Sequence, residues 1–200
     1  MGCLTERLTA DLVADCNNIT VAGIEADILL IPLSDIDKTA STLDPENRLL
    51  ATKLQLKPGT TALKLEGIKQ LNGYNWEFVR GDNQTLDKFR HVFNGVIMTP
   101  SAANRLAANK LTKGEAYAVV VNKKYKGANS EDAFLLLGWD AGLYVTEMTE
   151  NSRENNAAIQ FTMSSVDEML ENDAPKIVRE TDYATTLLAF ENKFAQEVAP

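Results

Sequence analysis

The chain has 200 residues, 44% hydrophobic and 24% charged, the balance of a folded globular protein rather than a disordered or low-complexity one. That length suits one domain with appendages and is enough to bury a core without disulfides. A net charge of −8 and a pI near 4.8 oppose general binding to nucleic-acid phosphates.

Cys3 and Cys16 match no CxxC metal or redox spacing and read as incidental reduced thiols. No stretch reaches the roughly 18 apolar residues that span a bilayer, so no membrane segment is expected. Met1–Glu6 lacks a basic region followed by an apolar run, so no secretion leader is expected, and synthesis is expected in the cytoplasm.

In chain order, residues 1–18 form a polar arm with Leu4, Leu8 and Leu12 at helical spacing. Ile24–Leu33 is a nearly continuous apolar run, and Leu49–Leu56 alternates with Leu50, Leu54 and Leu56 on one parity; both read as strands and as a first strand pair. The polar stretch Ser34–Asn47 between them is far longer than an ordinary hairpin connection and is expected to be a long hairpin loop. Lys57-Pro58-Gly59-Thr60 fits a type II turn, after which Thr61–Ile68 alternates with Leu63 and Leu65 inward. Asn72-Gly73 is a hairpin signal leading into the aromatic strand Tyr74–Arg80, and Phe89–Thr99 follows as a further strand.

A lone helix is expected over Ser101–Leu111. Pro100 and Ser101 announce it, Ala103, Leu106, Ala107 and Leu111 share a face, and Gly114 ends it. Strands resume at Glu115–Tyr125, Ala133–Trp139, Leu143–Met148 and Ala157–Ser164, with turns at Lys126–Asp132, Asp140–Gly142 and Thr149–Asn156. Ser165 and Glu168 have capping-box spacing for a short turn, Val166–Leu170. After the acidic linker Glu171–Pro175, Tyr183, Leu187, Phe190 and Phe194 form a helical stripe capped by Thr181 or Asp182. The expected fold is mainly β, a β-sandwich or barrel over 19–164 with one flanking helix at 101–111, the long loop 34–47, and helical arms at 1–18 and 165–200. The C-terminal stripe serves either its own domain's sheet or a groove on a neighbouring subunit.

The catalytic inventory is thin. His91 is the single histidine and sits in a strand, zinc needs three or four ligands, and no nucleophile elbow, P-loop or dinucleotide fingerprint occurs. No catalytic residue, metal or cofactor is therefore assigned, and an enzyme is not expected. Glu25 and Asp27 pair on one side of a strand, a spacing that 28 acidic residues produce readily. Asp35, Asp37, Asp44 and Glu46 supply oxygen ligands for a cation, but the loop lacks the Gly and closing Glu of an EF-hand. Lys123, Lys124 and Lys126 make a basic tip around Tyr125, and Trp76 and Trp139 read as core or interface residues.

This layout resembles the tail tube (major tail) proteins of long-tailed bacteriophages and their relatives in contractile injection machines. Asp132-Ala133-Phe134-Leu135-Leu136-Leu137-Gly138-Trp139-Asp140-Ala141-Gly142-Leu143 and Thr181-Asp182-Tyr183-Ala184-Thr185-Thr186 also look like virion proteins of phages infecting Bacteroidetes. The resemblance implies a non-enzymatic virion protein that assembles into hexameric rings stacked as a tube. Its partners would be further copies of itself and other phage tail proteins, with DNA only as non-specific passing cargo and no membrane partner. Ser34, Asp35, Asp37, Lys38, Asp44 and Glu46 would then stack rings, and Tyr183, Leu187, Phe190 and Phe194 would form the C-terminal contacts. The extended C-terminal helix departs from the minimal tube fold and leaves open a tail terminator or head-tail connector. From the residues alone, a monomeric sandwich module binding carbohydrate or protein through Trp76, Tyr74 or Tyr125 stays open.

Overall fold

The computed structural model describes residues 11–12, 18–67, 71–82, 85–153 and 157–196. Most of the N-terminal arm expected over 1–18, with Cys3 and Cys16, lies outside the described residues. Among the described residues the fold is mainly β, with two sheets and two α-helices. The strands are β1 (Ile24–Pro32), β2 (Thr42–Leu43), β3 (Leu50–Lys53), β4 (Leu63–Glu66), β5 (Gly73–Val79) and β6 (Lys88–Ile97), then β7 (Tyr117–Lys123), β8 (Phe134–Leu137), β9 (Tyr144–Glu150), β10 (Ile159–Ser164) and β11 (Lys176–Val178). The helices are α1 (Ala102–Leu111) and α2 (Tyr183–Glu191). A seven-stranded sheet runs β2-β3-β11-β8-β7-β1-β4, and a four-stranded sheet runs β5-β6-β10-β9. All neighbours are antiparallel except β3 and β11.

The continuous apolar runs have a simple cause. Successive side chains of a strand point to opposite faces, and the seven-stranded sheet is buried on both. On one face Leu29, Ile31, Ala118, Val120, Phe134 and Leu136 join a core closed by Leu54, Leu56, Phe190 and Phe194. On the other, Ile28, Leu30, Val119, Val121, Leu135 and Leu137 pack with Phe93, Phe161 and Met163 of the four-stranded sheet. By contrast, β10 has one buried face, so Ile159, Phe161 and Met163 alternate with polar neighbours.

Several expected connections differ. Ser34–Asn47 is not a hairpin loop, because β1 pairs with β4 and β7 while β3 pairs with β2 and β11. The segment instead contributes β2 and buries Ile36 and Ser41. Asn72-Gly73 is likewise no hairpin turn, since β4 and β5 lie in different sheets. The buried Asn72 side chain accepts a hydrogen bond from Val96 N–H at 2.8 Å, which fixes the place where the chain changes sheet. The type II turn does form: Gly59 has φ +80° and Thr60 N–H donates to the Lys57 carbonyl at 3.1 Å. Leu63 is exposed on the edge strand β4, and Leu65 alone of that pair packs inward.

Helix α1 stands where expected, with Ser101 Oγ accepting from Asn104 N–H at 3.2 Å as its N-cap. Its packed face is different: Ala108 and Leu111 are buried, whereas Ala103, Leu106 and Ala107 face outward. Val166–Leu170 forms the expected short turn, closed by Met169 N–H on the Val166 carbonyl. The segment 165–196 is no arm. β11 inserts between β3 and β8, and α2, capped by Asp182, lays Phe190 on its own domain's core, with Phe194 following from the turn after it. A short strand buried on both faces and a helix covering that sheet remove apolar surface that would otherwise lie open.

Candidate functional site

The six residues expected to form a stacking loop are largely engaged within their own domain. Ser34 Oγ donates to Glu115 Oε1 at 2.9 Å. The Asp35 carbonyl accepts from Lys57 N–H at 2.8 Å. Asp37 Oδ1 accepts from Thr39 Oγ1 at 2.7 Å, Thr39 N–H at 3.0 Å and Ala40 N–H at 3.1 Å, and the Thr39 hydroxyl leads in lowering its pKa. Lys38 Nζ donates to the Asp140 carbonyl at 3.2 Å and lies 5.5 Å from the Trp139 ring centroid. Asp44 Oδ1 closes a turn by accepting from Glu46 N–H at 2.8 Å and Asn47 N–H at 2.9 Å, leaving Pro45, Glu46 and Asn47 exposed. Among the described residues no group of three or more His, Cys, Asp or Glu side chains converges as a metal site.

The other sequence candidates are also placed. Asp27 pairs with Lys64 at 3.0 Å and Glu25 approaches Lys126 at 3.9 Å, so the two carboxylates face lysines rather than each other. Tyr183 stacks on Phe134 at 5.9 Å between ring centroids, and Phe190 lies 5.1 Å from Phe134, so the C-terminal stripe turns inward. Trp139 is buried in the core that α2 covers.

The aromatic strand offers more. Tyr74, Trp76 and Phe78 share one face of β5 and register against Phe93, His91 and Phe89 of β6. Phe93 lies in the core between the sheets and His91 is buried, but the β5 side chains beyond Tyr74 are left largely uncovered. Trp76 is 47% exposed and Phe78 is 53% exposed, each within 6 Å of the Phe89 ring (centroids at 5.8 and 5.6 Å). Leu86, in the connection from β5 to β6, is 79% exposed. The opposite face is polar there, with Arg90 bridging Glu77 at 3.6 Å and Asp167. β5 is also an edge strand of its sheet, so outward-pointing backbone groups accompany the apolar side chains.

A buried polar network holds the root of this hairpin. His91 Nδ1 accepts from Gly138 N–H at 3.2 Å, which requires the proton to sit on Nε2, and Nε2 donates to the Asp173 carbonyl at 3.0 Å. Burial lowers the His91 pKa to about 4, so the ring is neutral, and with both nitrogens engaged by backbone it has no lone pair free for chemistry. Glu171 accepts from the N–H groups of Asp140 at 2.7 Å, Ala141 at 2.9 Å and Gly142 at 2.9 Å. Its own burial raises its pKa, an effect those three hydrogen bonds oppose. The buried Lys176 Nζ donates to the Arg48 carbonyl at 3.0 Å and pairs with Asp173 Oδ2 at 3.1 Å, while Arg48 pairs with Asp173 Oδ1 at 2.7 Å. The network ties β6, the turn 138–142 and the start of β11 into one block.

Sequence reasoning missed this network, because Glu171 and Asp173 read as a solvated linker. The alternation of Tyr74, Trp76 and Phe78 was visible, but nothing local told which part of that face the other sheet would cover. Among the described residues no helix is long and apolar enough to cross a membrane. No protein-family model, curated protein or solved structure matches the chain.

Proposed function

We propose that the protein is a non-enzymatic structural subunit, a β-sandwich that assembles with copies of itself into stacked rings of the phage tail tube type. The observation that carries this reading is the β5–β6 hairpin, where Trp76, Phe78 and Leu86 lie uncovered beside an open sheet edge. Large aromatic side chains at a contact centre supply most of its binding energy, and burying each contributes about 1.5–3 kcal/mol. A contact between this hairpin and a different patch on the next copy is heterologous, and heterologous contacts close into rings when the rotation allows. The stacking role first assigned to Ser34–Asn47 passes to this hairpin, because the polar groups of 34–47 are largely used within their own domain.

Hexameric rings, other tail proteins as neighbours and a location in the virion tail belong to the same proposal. A net charge of −8 suits a conduit through which DNA slides as cargo without adhering. A tail terminator or connector ring would use the same hairpin. A second reading, a monomeric module with an aromatic platform for carbohydrate, is favoured by the exposure of Trp76 alone.

Negative-stain microscopy with sedimentation of the purified chain separates these readings. The wild type forms rings or tubes, and Trp76→Ser with Phe78→Ser lowers its association at least about tenfold while leaving thermal unfolding unchanged. A wild type that stays a 22.0 kDa monomer when concentrated overturns assembly. Carbohydrate quenching of Trp76 fluorescence in such a monomer establishes the second reading.

A further inference from the structure

At the opposite end of β5 from the exposed aromatics, a cavity of about 460 Å³ opens where β1 begins and β7 ends. Tyr117, Val119, Val121 and Lys123 alternate along β7, and the first three fill the core between the sheets. Lys123 continues that row, registers with Ile24, and lines the cavity with Tyr74, Tyr125 and the apolar side chains of Val21, Ala22 and Ile24. Lys123 is half-buried, with its ammonium 5.7 Å from the Tyr125 ring centroid.

Among the described residues, no carboxylate pairs with Lys123, and neither the Tyr74 nor the Tyr125 hydroxyl has a hydrogen-bond partner. Two other lysines of this region have partners: Lys126 meets the Tyr183 hydroxyl at 3.2 Å and Glu25 at 3.9 Å, and Lys64 pairs with Asp27 and Glu66, while the Lys124 side chain lies against Gly23 at the cavity rim. Burial lowers the Lys123 pKa, and Asp132 opposes this only through its charge. A half-desolvated cation gains from an anion brought to it.

We propose that this cavity binds a carboxylate carried on a short apolar stem, with Lys123 as its ion partner and the Tyr74 and Tyr125 hydroxyls as donors. One lysine without an arginine suits a single negative charge better than a phosphate, which planar guanidinium groups grip in two places. The stem lies against Val21, Ala22 and Ile24. Two sources share this chemistry, a free short-chain carboxylate and an acidic side chain of another copy. The site does not depend on the assembly reading.

Amine labelling of the full chain, read by peptide mass spectrometry, tests the site with sodium butyrate as probe. Butyrate slows labelling of Lys123 saturably, by about tenfold, the scale of one charge-assisted hydrogen bond, and leaves Lys110 unchanged. Tyr74→Phe weakens that protection several-fold, and inorganic phosphate at matched ionic strength does not reproduce it. A Lys123 labelling rate that butyrate does not slow, or that phosphate slows equally, overturns the proposal. Where butyrate protects, protection that also grows with protein concentration in its absence identifies another copy as the source, and concentration-independent labelling identifies a free carboxylate.

Discussion

Acidification probes the buried imidazole of His91 directly. His91 is 1% exposed, accepts from Gly138 N–H and donates to the Asp173 carbonyl. Burial is the dominant influence on its pKa and Lys176 adds to it, against the Asp173 carbonyl and the charges of Asp140 and Asp173, bringing it from 6.5 to about 4. In the unfolded chain the imidazole takes up its proton as pH falls through 6.5, whereas the folded chain resists until about 4. The unfolded state therefore binds more protons in this window, and stability falls as pH falls. One pKa unit corresponds to about 1.4 kcal/mol, so the contribution present at neutral pH and lost by about pH 4 is about 3 kcal/mol. Urea unfolding of the wild type and His91→Gln, followed by circular dichroism across this range, isolates it. Glutamine keeps a donor and an acceptor but does not titrate, so the stability difference between the two proteins shrinks by that amount on acidification. The raised pKa of Glu171 acts in the opposite direction, favouring the folded state as pH falls, and is common to both proteins. A difference that stays flat from neutral pH to pH 4 would refute a neutral imidazole held below its ordinary pKa in the folded chain.

Phe190→Ala removes a buried ring that lies 5.1 Å from Phe134 and 6.5 Å from Phe194 between centroids, and is expected to cost about 3–5 kcal/mol in urea unfolding. A loss below about 1 kcal/mol would return α2 to the role of a detachable arm. Gly95→Ala places a methyl group on the ring of Phe161, its partner across β6 and β10, and is expected to cost about 1–3 kcal/mol. Phe161→Leu in that background should recover part of the loss, and no recovery would show that the ring is not the obstacle.

Most strands were legible because burial leaves a periodic trace. The alternation of Ile159, Phe161 and Met163 marks one wet face, and the unbroken runs in β1, β7 and β8 mark two dry ones. Both helix caps, Ser101 and Asp182, follow from short polar side chains that satisfy free N–H groups at a helix start. The short strands β2 and β11 were missed, since two or three residues carry no period and are ordered by the neighbours they pair with. Asp140–Gly142 was legible as a turn but not as a change of sheet, and Asn72-Gly73 was misread as a hairpin turn where the chain changes sheet, because a turn signal is local and strand pairing is not. The candidate sites followed the same division. Residue types at 34–47 and 183–194 were plain, but whether their polar heads and rings faced outward depended on surfaces distant in sequence.

By itself the sequence determined a mainly β chain, its principal strands, two capped helices and the absence of familiar catalytic motifs, since propensity, capping and periodicity act over a few residues. Only the tertiary structure decided that α2 covers its own sheet, that His91 and Glu171 grip the turn 138–142, and that Trp76 and Phe78 are left open. Those outcomes depend on which face of one element meets another, and burial is shared between residues as distant in sequence as Leu29 and Phe194.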